Sequence, residues 1–183
     1  MSFARSERIF LAGFMGSGKS TIGPILANTI GYDFVDIDHV IEQREGKSIN
    51  DIFREAGEEH FRVLERAVLG EVLGRSQIVV SLGGGTIADP GNFQRVSVSG
   101  IIVYLKATPE QIFRRLHHKL DRPVLTDLRG EQLSTDELRA RIRELFVRRA
   151  PFYEMADIVV PTDEQRVGIT VDRIVKKLSS VMP

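Results

Sequence analysis

The sequence predicts an α/β protein, a three-layer α/β/α fold around a central parallel five-stranded sheet. Three observations predict it. Short apolar runs rich in β-branched and aromatic residues recur along the chain. They lack strict alternation, as strands covered on both faces do. Segments of helical periodicity separate one run from the next.

The strands are expected at Ile9 to Ala12, Asp33 to Ile37, Ile78 to Leu82 and Ile101 to Leu105, with a weaker fifth at Ile158 to Val160. The first helix is expected from Ser20 to Ile30, with Ile22, Ile25, Leu26 and Ile30 facing inward. Pro24 lies inside it and removes a backbone hydrogen bond. Phe61, Leu64, Val68, Leu69, Val72 and Leu73 recur at helical spacing. Thr108-Pro109-Glu110 reads as an N-cap with proline at the first helical position, opening a helix to about Leu116. Ser134-Thr135-Asp136-Glu137 has the form of a capping box. Arg166 to Leu178 is a closing helix.

Between Lys119 and Leu133 the chain is charged, contains Pro123 and Gly130, and has no clean period. A loop of this length in a compact domain is usually functional or mobile. It reads as a mobile lid over about residues 117–133, the alternative being a disordered surface insertion.

Composition narrows the function classes. The 183 residues, 42% hydrophobic and 27% charged, suit one domain spanning 1–183. The formal net charge is zero, so no nucleic-acid or membrane surface is expected. There are no cysteines, which excludes disulfides, thiolate zinc sites and cysteine nucleophiles. No apolar run approaches the roughly 20 residues of a membrane helix. No signal core is visible near the N-terminus. A cytoplasmic location and a monomer are expected.

Gly13-Phe14-Met15-Gly16-Ser17-Gly18-Lys19-Ser20 matches the phosphate-binding P-loop at every fixed position, between an expected strand and an expected helix. Glycines let the backbone approach an anion, and successive N–H groups with the helix N-terminus point at it. Lys19 supplies a mobile charge for the β- and γ-phosphates, and Ser20 a hydroxyl for magnesium.

The rest of the chain selects among P-loop proteins. The Asn-Lys-x-Asp motif of GTPases is absent. The third strand runs into Gly83-Gly84-Gly85 instead of ending in a metal-binding Asp. Asp36-Ile37-Asp38, at the end of the second strand, supplies the acids instead. Strand alternation would put both carboxylates on one side, one for magnesium and one as base for a substrate hydroxyl. The three glycines allow a substrate to approach the backbone closely. Arg62 is either an ordinary surface residue paired with Glu58 or Glu65, or a ligand for the substrate. Arg148-Arg149 ends a helix, and arginines converging on the site would suit a carboxylate, whose two oxygens match the guanidinium fork.

The ordered set of P-loop, Phe34-Val35-Asp36-Ile37-Asp38, Phe61-Arg62, Ser81-Leu82-Gly83-Gly84-Gly85, Arg122-Pro123-Val124-Leu125 and Arg148-Arg149-Ala150-Pro151-Phe152-Tyr153 resembles the shikimate kinases, P-loop NTPases of the nucleoside-monophosphate-kinase-like type. The resemblance covers about Arg8 to Leu178. It implies phosphorylation of the 3-hydroxyl of shikimate by ATP with Mg2+, in aromatic amino-acid biosynthesis. By the same resemblance Asp38 contacts the substrate hydroxyls and serves as base. Arg62 and Arg149 clamp the carboxylate, and Gly83, Gly84 and Gly85 line the pocket. Gly16, Ser17, Gly18, Lys19, Ser20 and Thr21 hold ATP, with Ser20 and Asp36 serving the metal. Arg122 comes in on the lid, and Arg115 and Arg166 lie toward the adenine. The substrate-binding region is about 37–65, with Ile49 to Glu65 its mobile part. Two features depart from the pattern: Val167, where a proline often packs on the adenine, and His117-His118-Lys119. A gluconate kinase on the same scaffold is the rival enzyme, and a non-catalytic nucleotide-binding module the rival outside enzymes.

Overall fold

The computed structural model describes residues 5–116, 133–162 and 166–181. Five strands, β1 (Arg8–Ala12), β2 (Asp33–Asp36), β3 (Ile78–Ser81), β4 (Ile101–Lys106) and β5 (Ile158–Pro161), form one sheet in the order β2-β3-β1-β4-β5. Every pairing is parallel. The helices are α1 (Lys19–Ile30), α2 (Ile37–Glu45), α3 (Ile49–Val72), α4 (Pro90–Ser99), α5 (Pro109–Leu116), α6 (Thr135–Tyr153) and α7 (Val167–Val181).

The absence of alternation in the strands has a direct cause. Phe10 and Ala12 of β1 join one core, together with Val80, Ile102 and Tyr104. Ile9 and Leu11 join the other, with Val79, Val103 and Leu105. Both faces are apolar because helices cover both. The first core holds α2 to α6, and the second is closed by α1 and α7, which pack on each other.

The chain crosses over β1 between β3 and β4, so β1 is central. Because all strands run the same way, their C-terminal ends share one edge. Loops leaving β1, β2 and β3 therefore meet, the usual place for a ligand in an open α/β sheet.

The helix signals hold. Ser134 accepts from Glu137 N, and the Glu137 carboxylate accepts from Ser134 N at 2.9 Å, completing the capping box. Thr108 Oγ1 accepts from Gln111 N at 3.2 Å, capping α5. Three expectations need correction. Ile25 points outward, 44% exposed, and the inward face of α1 is instead Ile22, Gly23, Leu26 and Ala27. Gly23 is the small residue there because Phe34 of β2 lies against it. β2 ends at Asp36, so Asp38 stands in the first turn of α2 and not on a strand. The third concerns α6, which runs on through Pro151 to Tyr153, so Arg148-Arg149 lies inside a helix and not at its end. Helix α3 breaks at Gly57, with φ 82° and ψ 172°. The lid expected over about 117–133 lies outside the described residues except for Leu133.

Candidate active site

The phosphate loop leaves β1 at Gly13, whose φ of 145° an L side chain rarely adopts. A Cβ at Gly13 would also lie 2.7 Å from Leu105 O. Gly18 caps α1 at φ 102°, turning the first helical N–H groups toward the loop. Lys19 is buried and its Nζ donates to Gly13 O at 2.9 Å and Phe14 O at 3.2 Å. The ammonium is thus held across the loop in reach of an anion bound there.

Ser20 Oγ donates to Asp36 Oδ2 at 2.8 Å. The other Asp36 oxygen caps α2, accepting from His39 N at 3.4 Å. This cap explains the early end of β2. A carboxylate at the N-cap satisfies an orphan helix donor and starts the helix at once.

Met15 to Ile22, Asp36, Asp38, Gly84, Arg115, Leu116, Thr162, Val167 and Thr170 line a cleft of about 490 Å³. That lies within the range of small-molecule and cofactor sites. At its far end Arg115 joins two walls. Its Nη1 donates to Gly16 O at 3.1 Å and its Nη2 to Thr162 O at 2.5 Å. Arg166 is exposed and does not line the cleft; Val167 does. Arg122 lies outside the described residues, as do His117 and His118.

A second, smaller pocket of about 90 Å³ adjoins the cleft. Arg62, Glu65, Gly83, Gly84, Gly85 and Arg149 line it, and Asp38, Met15 and Gly84 line both spaces. Each glycine of the triplet abuts a functional side chain. A Cβ on Gly83 would lie 2.9 Å from Asp38 Oδ1 and 3.0 Å from Glu65 Oε1. One on Gly85 would lie 2.9 Å from Arg62 Nη2 and 3.5 Å from Arg149 Nη2. The turn therefore brings α2, α3 and α6 together at backbone distance.

Arg62 is ion-paired and also lines the pocket. It pairs with Glu58 at 3.0 Å and with Glu65 at 2.8 Å, and it faces the pocket. Burial lowers the Arg62 pKa, but the two glutamates outweigh it and the net shift is upward. Burial lowers the Arg149 pKa, and the positive charge of Arg62 adds to this, against the opposing effect of Tyr153. Two converging guanidiniums repel, and an anion between them relieves that repulsion. Arg149 also lies over the ring of Phe14, a phosphate-loop residue, with 5.5 Å to the centroid. This contact links an arginine of the smaller pocket to the phosphate loop.

Glu65 is the main residue the sequence did not single out for function. It is 1% exposed and accepts from Arg62 and, at 2.6 Å, from Thr86 Oγ1. A signal exists: it stands four residues after Phe61 and three before Val68, an acid on an apolar helical stripe. Tyr153 was also passed over for function. It is fully buried and donates its hydroxyl to Gly84 O.

Comparison with known proteins places the chain in a family. The family model for shikimate kinase matches residues 15–179. A shikimate kinase of Chlorobium chlorochromatii is 52% identical over 174 residues, covering 95% of this chain and 92% of the relative. The solved structure of a shikimate kinase from Acinetobacter baumannii, in complex with shikimate, is 32% identical with a TM-score of 0.87. The match covers 96% of this chain and 94% of that one. A gluconokinase from Sinorhizobium meliloti, 18% identical over 98% of this chain and 95% of its own with a TM-score of 0.56, shares the fold alone. The chain belongs to the shikimate kinase family.

Proposed function

We propose that this chain transfers the γ-phosphate of ATP to the 3-hydroxyl of shikimate, giving shikimate 3-phosphate and ADP on the route to chorismate and the aromatic amino acids. One observation carries the reading at the level of residues. Asp38 and Gly84 form a common wall between a phosphate-loop cleft and a pocket with two converging arginines. An acceptor held by its carboxylate in the pocket presents its hydroxyl toward the cleft.

In this mechanism the phosphate loop, with Gly16, Ser17, Gly18 and Thr21, cradles the nucleotide phosphates, and Lys19 exchanges its carbonyl partners for them. Arg62 and Arg149 hold the shikimate carboxylate. Asp38 orients the 3-hydroxyl and takes its proton. As the hydroxyl oxygen bonds to the γ-phosphorus, the bond to the β–γ bridging oxygen breaks and ADP leaves with that electron pair. Little covalent work falls to the protein, so position and charge dominate. Arg115 and Val167 flank the adenine, and Arg122 comes from the lid to the transferring phosphoryl group. Closure of the lid excludes water, so phosphate passes to the alcohol.

Ser20 and Asp36 present a hydroxyl and a carboxylate 2.8 Å apart beside the phosphate loop. Hard oxygens in that number fit Mg2+, which keeps several waters and completes its shell with substrate phosphates. Ser20 and Asp36 would hold the ion, directly or through water. It would supply charge neutralisation at the β- and γ-oxygens.

No described helix is long and apolar enough to cross a membrane. With zero net charge, a single-domain cytoplasmic monomer that binds neither nucleic acid nor membrane is the matching proposal. The test is ADP release by purified protein with ATP and Mg2+, comparing shikimate with gluconate. Shikimate-dependent release is expected. ATP binding without it, or equal turnover of gluconate, would reject the reading.

A further inference from the structure

Helix α7 buries Thr170, Val171, Ile174 and Leu178. Val171, Ile174 and Leu178 are apolar members of the second core. Thr170 is the exception, a hydroxyl on that face in a residue only 3% exposed. A hydroxyl inside a helix can return to the carbonyl four residues back. Thr29 of α1 does so, donating to Ile25 O at 2.7 Å, and so does Ser179 of α7 itself, donating to Val175 O at 3.0 Å. Thr170 makes no such bond, and its hydroxyl has no hydrogen-bond partner among the described residues. It lines the cleft of about 490 Å³ together with Arg115, Thr162 and Val167. Val167 stands one helical turn before Thr170, on the same side of α7. In the proposed mechanism Arg115 and Val167 flank the adenine.

The fold has no use for this hydroxyl. Valine has nearly the same shape, is an equal helix former, and would continue the apolar stripe without burying a polar group. Buried polar groups are as a rule hydrogen-bonded. One that is unpartnered and borders a ligand cleft is completed by the ligand. The phosphates are already served by the loop N–H groups and Lys19. A hydroxyl, which both donates and accepts, fits the polar edges of a nucleoside.

We infer that Thr170 is a nucleotide-binding residue whose hydroxyl hydrogen-bonds the nucleoside part of ATP. The inference rests on the reading of the cleft as the ATP site. Helix α7 packs on α1, which opens at Lys19 of the phosphate loop. Two helices in mutual contact thus divide the nucleotide between them. The N-terminus of α1 takes the phosphates, and a hydroxyl on the inner face of α7 takes the nucleoside.

Thr170→Val removes the hydroxyl and keeps the shape. By calorimetric titration its affinity for ATP should fall about fivefold, the size of one neutral hydrogen bond. Its affinity for inorganic tripolyphosphate, and KM for shikimate, should hold. The thermal midpoint of the nucleotide-free protein should hold or rise, because the hydroxyl makes no contact that the fold would lose. Thr170→Ser, which keeps a hydroxyl, should retain most of the parent's affinity for ATP.

Unchanged ATP affinity in Thr170→Val would overturn the inference. So would an equal loss for tripolyphosphate, which would place the contact at the phosphates. A lowered midpoint would assign the hydroxyl to the fold instead. An equal loss in Thr170→Ser would trace the effect to packing of the methyl group. A parent protein that binds tripolyphosphate but not ATP would remove the nucleotide reading of the cleft, and the role of Thr170 with it. If the parent binds both and Thr170→Val is unaffected, only the role of Thr170 falls.

Discussion

Glu65 holds Arg62 from beneath: its buried carboxylate accepts from Arg62 Nη1 at 2.8 Å, while Thr86 Oγ1 occupies its other oxygen at 2.6 Å. The acid is fixed and almost fully buried, whereas Glu58, the other partner of Arg62, is 66% exposed on its side chain. Glu65 therefore sets where Arg62 points. Removing one partner of a buried pair costs about 3 kcal/mol, because the other charge is left uncompensated. Glu65→Ala should lower the thermal midpoint and raise KM for shikimate, with KM for ATP held. Glu65→Gln, which keeps an acceptor for Thr86 but loses the charge, should be milder in stability and similar in KM. Melting curves and steady-state kinetics check both.

Asp38 stands in the first turn of α2, at the wall shared by the two pockets. Asp38→Asn is close in shape and removes the basic oxygen. A base in proton transfer is worth about 10²- to 10⁴-fold in rate. Turnover should fall by that order while ATP affinity, measured by titration, is retained. A variant with near-normal turnover would remove Asp38 from the role of base. A parent protein that binds ATP without any turnover would favour the non-catalytic module.

Gly23 tests how α1 seats on the sheet. Alanine is the better helix former by about 1 kcal/mol. Yet a Cβ at Gly23 would lie 2.2 Å from Phe34 Cε2 and 2.9 Å from its Cζ. Overpacking of a core costs about 1–3 kcal/mol and outweighs the propensity. Gly23→Ala should lower the midpoint by several degrees, at about 2–4 °C per kcal/mol for a chain of this size. Restoring room with Phe34→Leu in the same chain should recover part of the loss.

Tyr104 sets a limit on alkaline stability. Burial, with a smaller contribution from the charge of Glu154, pushes its pKa from 10.0 up to about 12. The fold therefore favours the neutral phenol. Below pH 10 the folded and unfolded chains are both protonated at this site, and its contribution to stability is complete. Between about pH 10 and 12 the unfolded chain loses the proton first, so stability falls as pH rises. Tyr153, raised in the same direction, adds to this slope. Denaturant midpoints measured across that range should fall more steeply for the parent chain than for Tyr104→Phe.

The sequence by itself determined what depends on near neighbours in the chain. The phosphate loop, the five strands, the caps at Thr108 and Ser134 and the glycine triplet after β3 are short patterns whose backbone demands are local. Both the fold class and the resemblance to shikimate kinases rest on them. Tertiary structure decided the rest. Asp36 ends β2 early because its carboxylate both caps α2 and meets Ser20 of α1. Ile25 turns outward because Gly23 and Phe34 set the seat of α1 on the sheet. Gly57 breaks α3 with a φ of 82°, a conformation that favours glycine. Arg62 could be read from sequence as a surface ion pair or as a ligand; the fold pairs it with the buried Glu65 and sets it on the wall of the smaller pocket. Arg62, Gly85 and Arg149 come from three elements, and no spacing along the chain encodes their distance. Their meeting is fixed by the packing of α3 and α6 against the end of β3, with Tyr153 bonded into that turn.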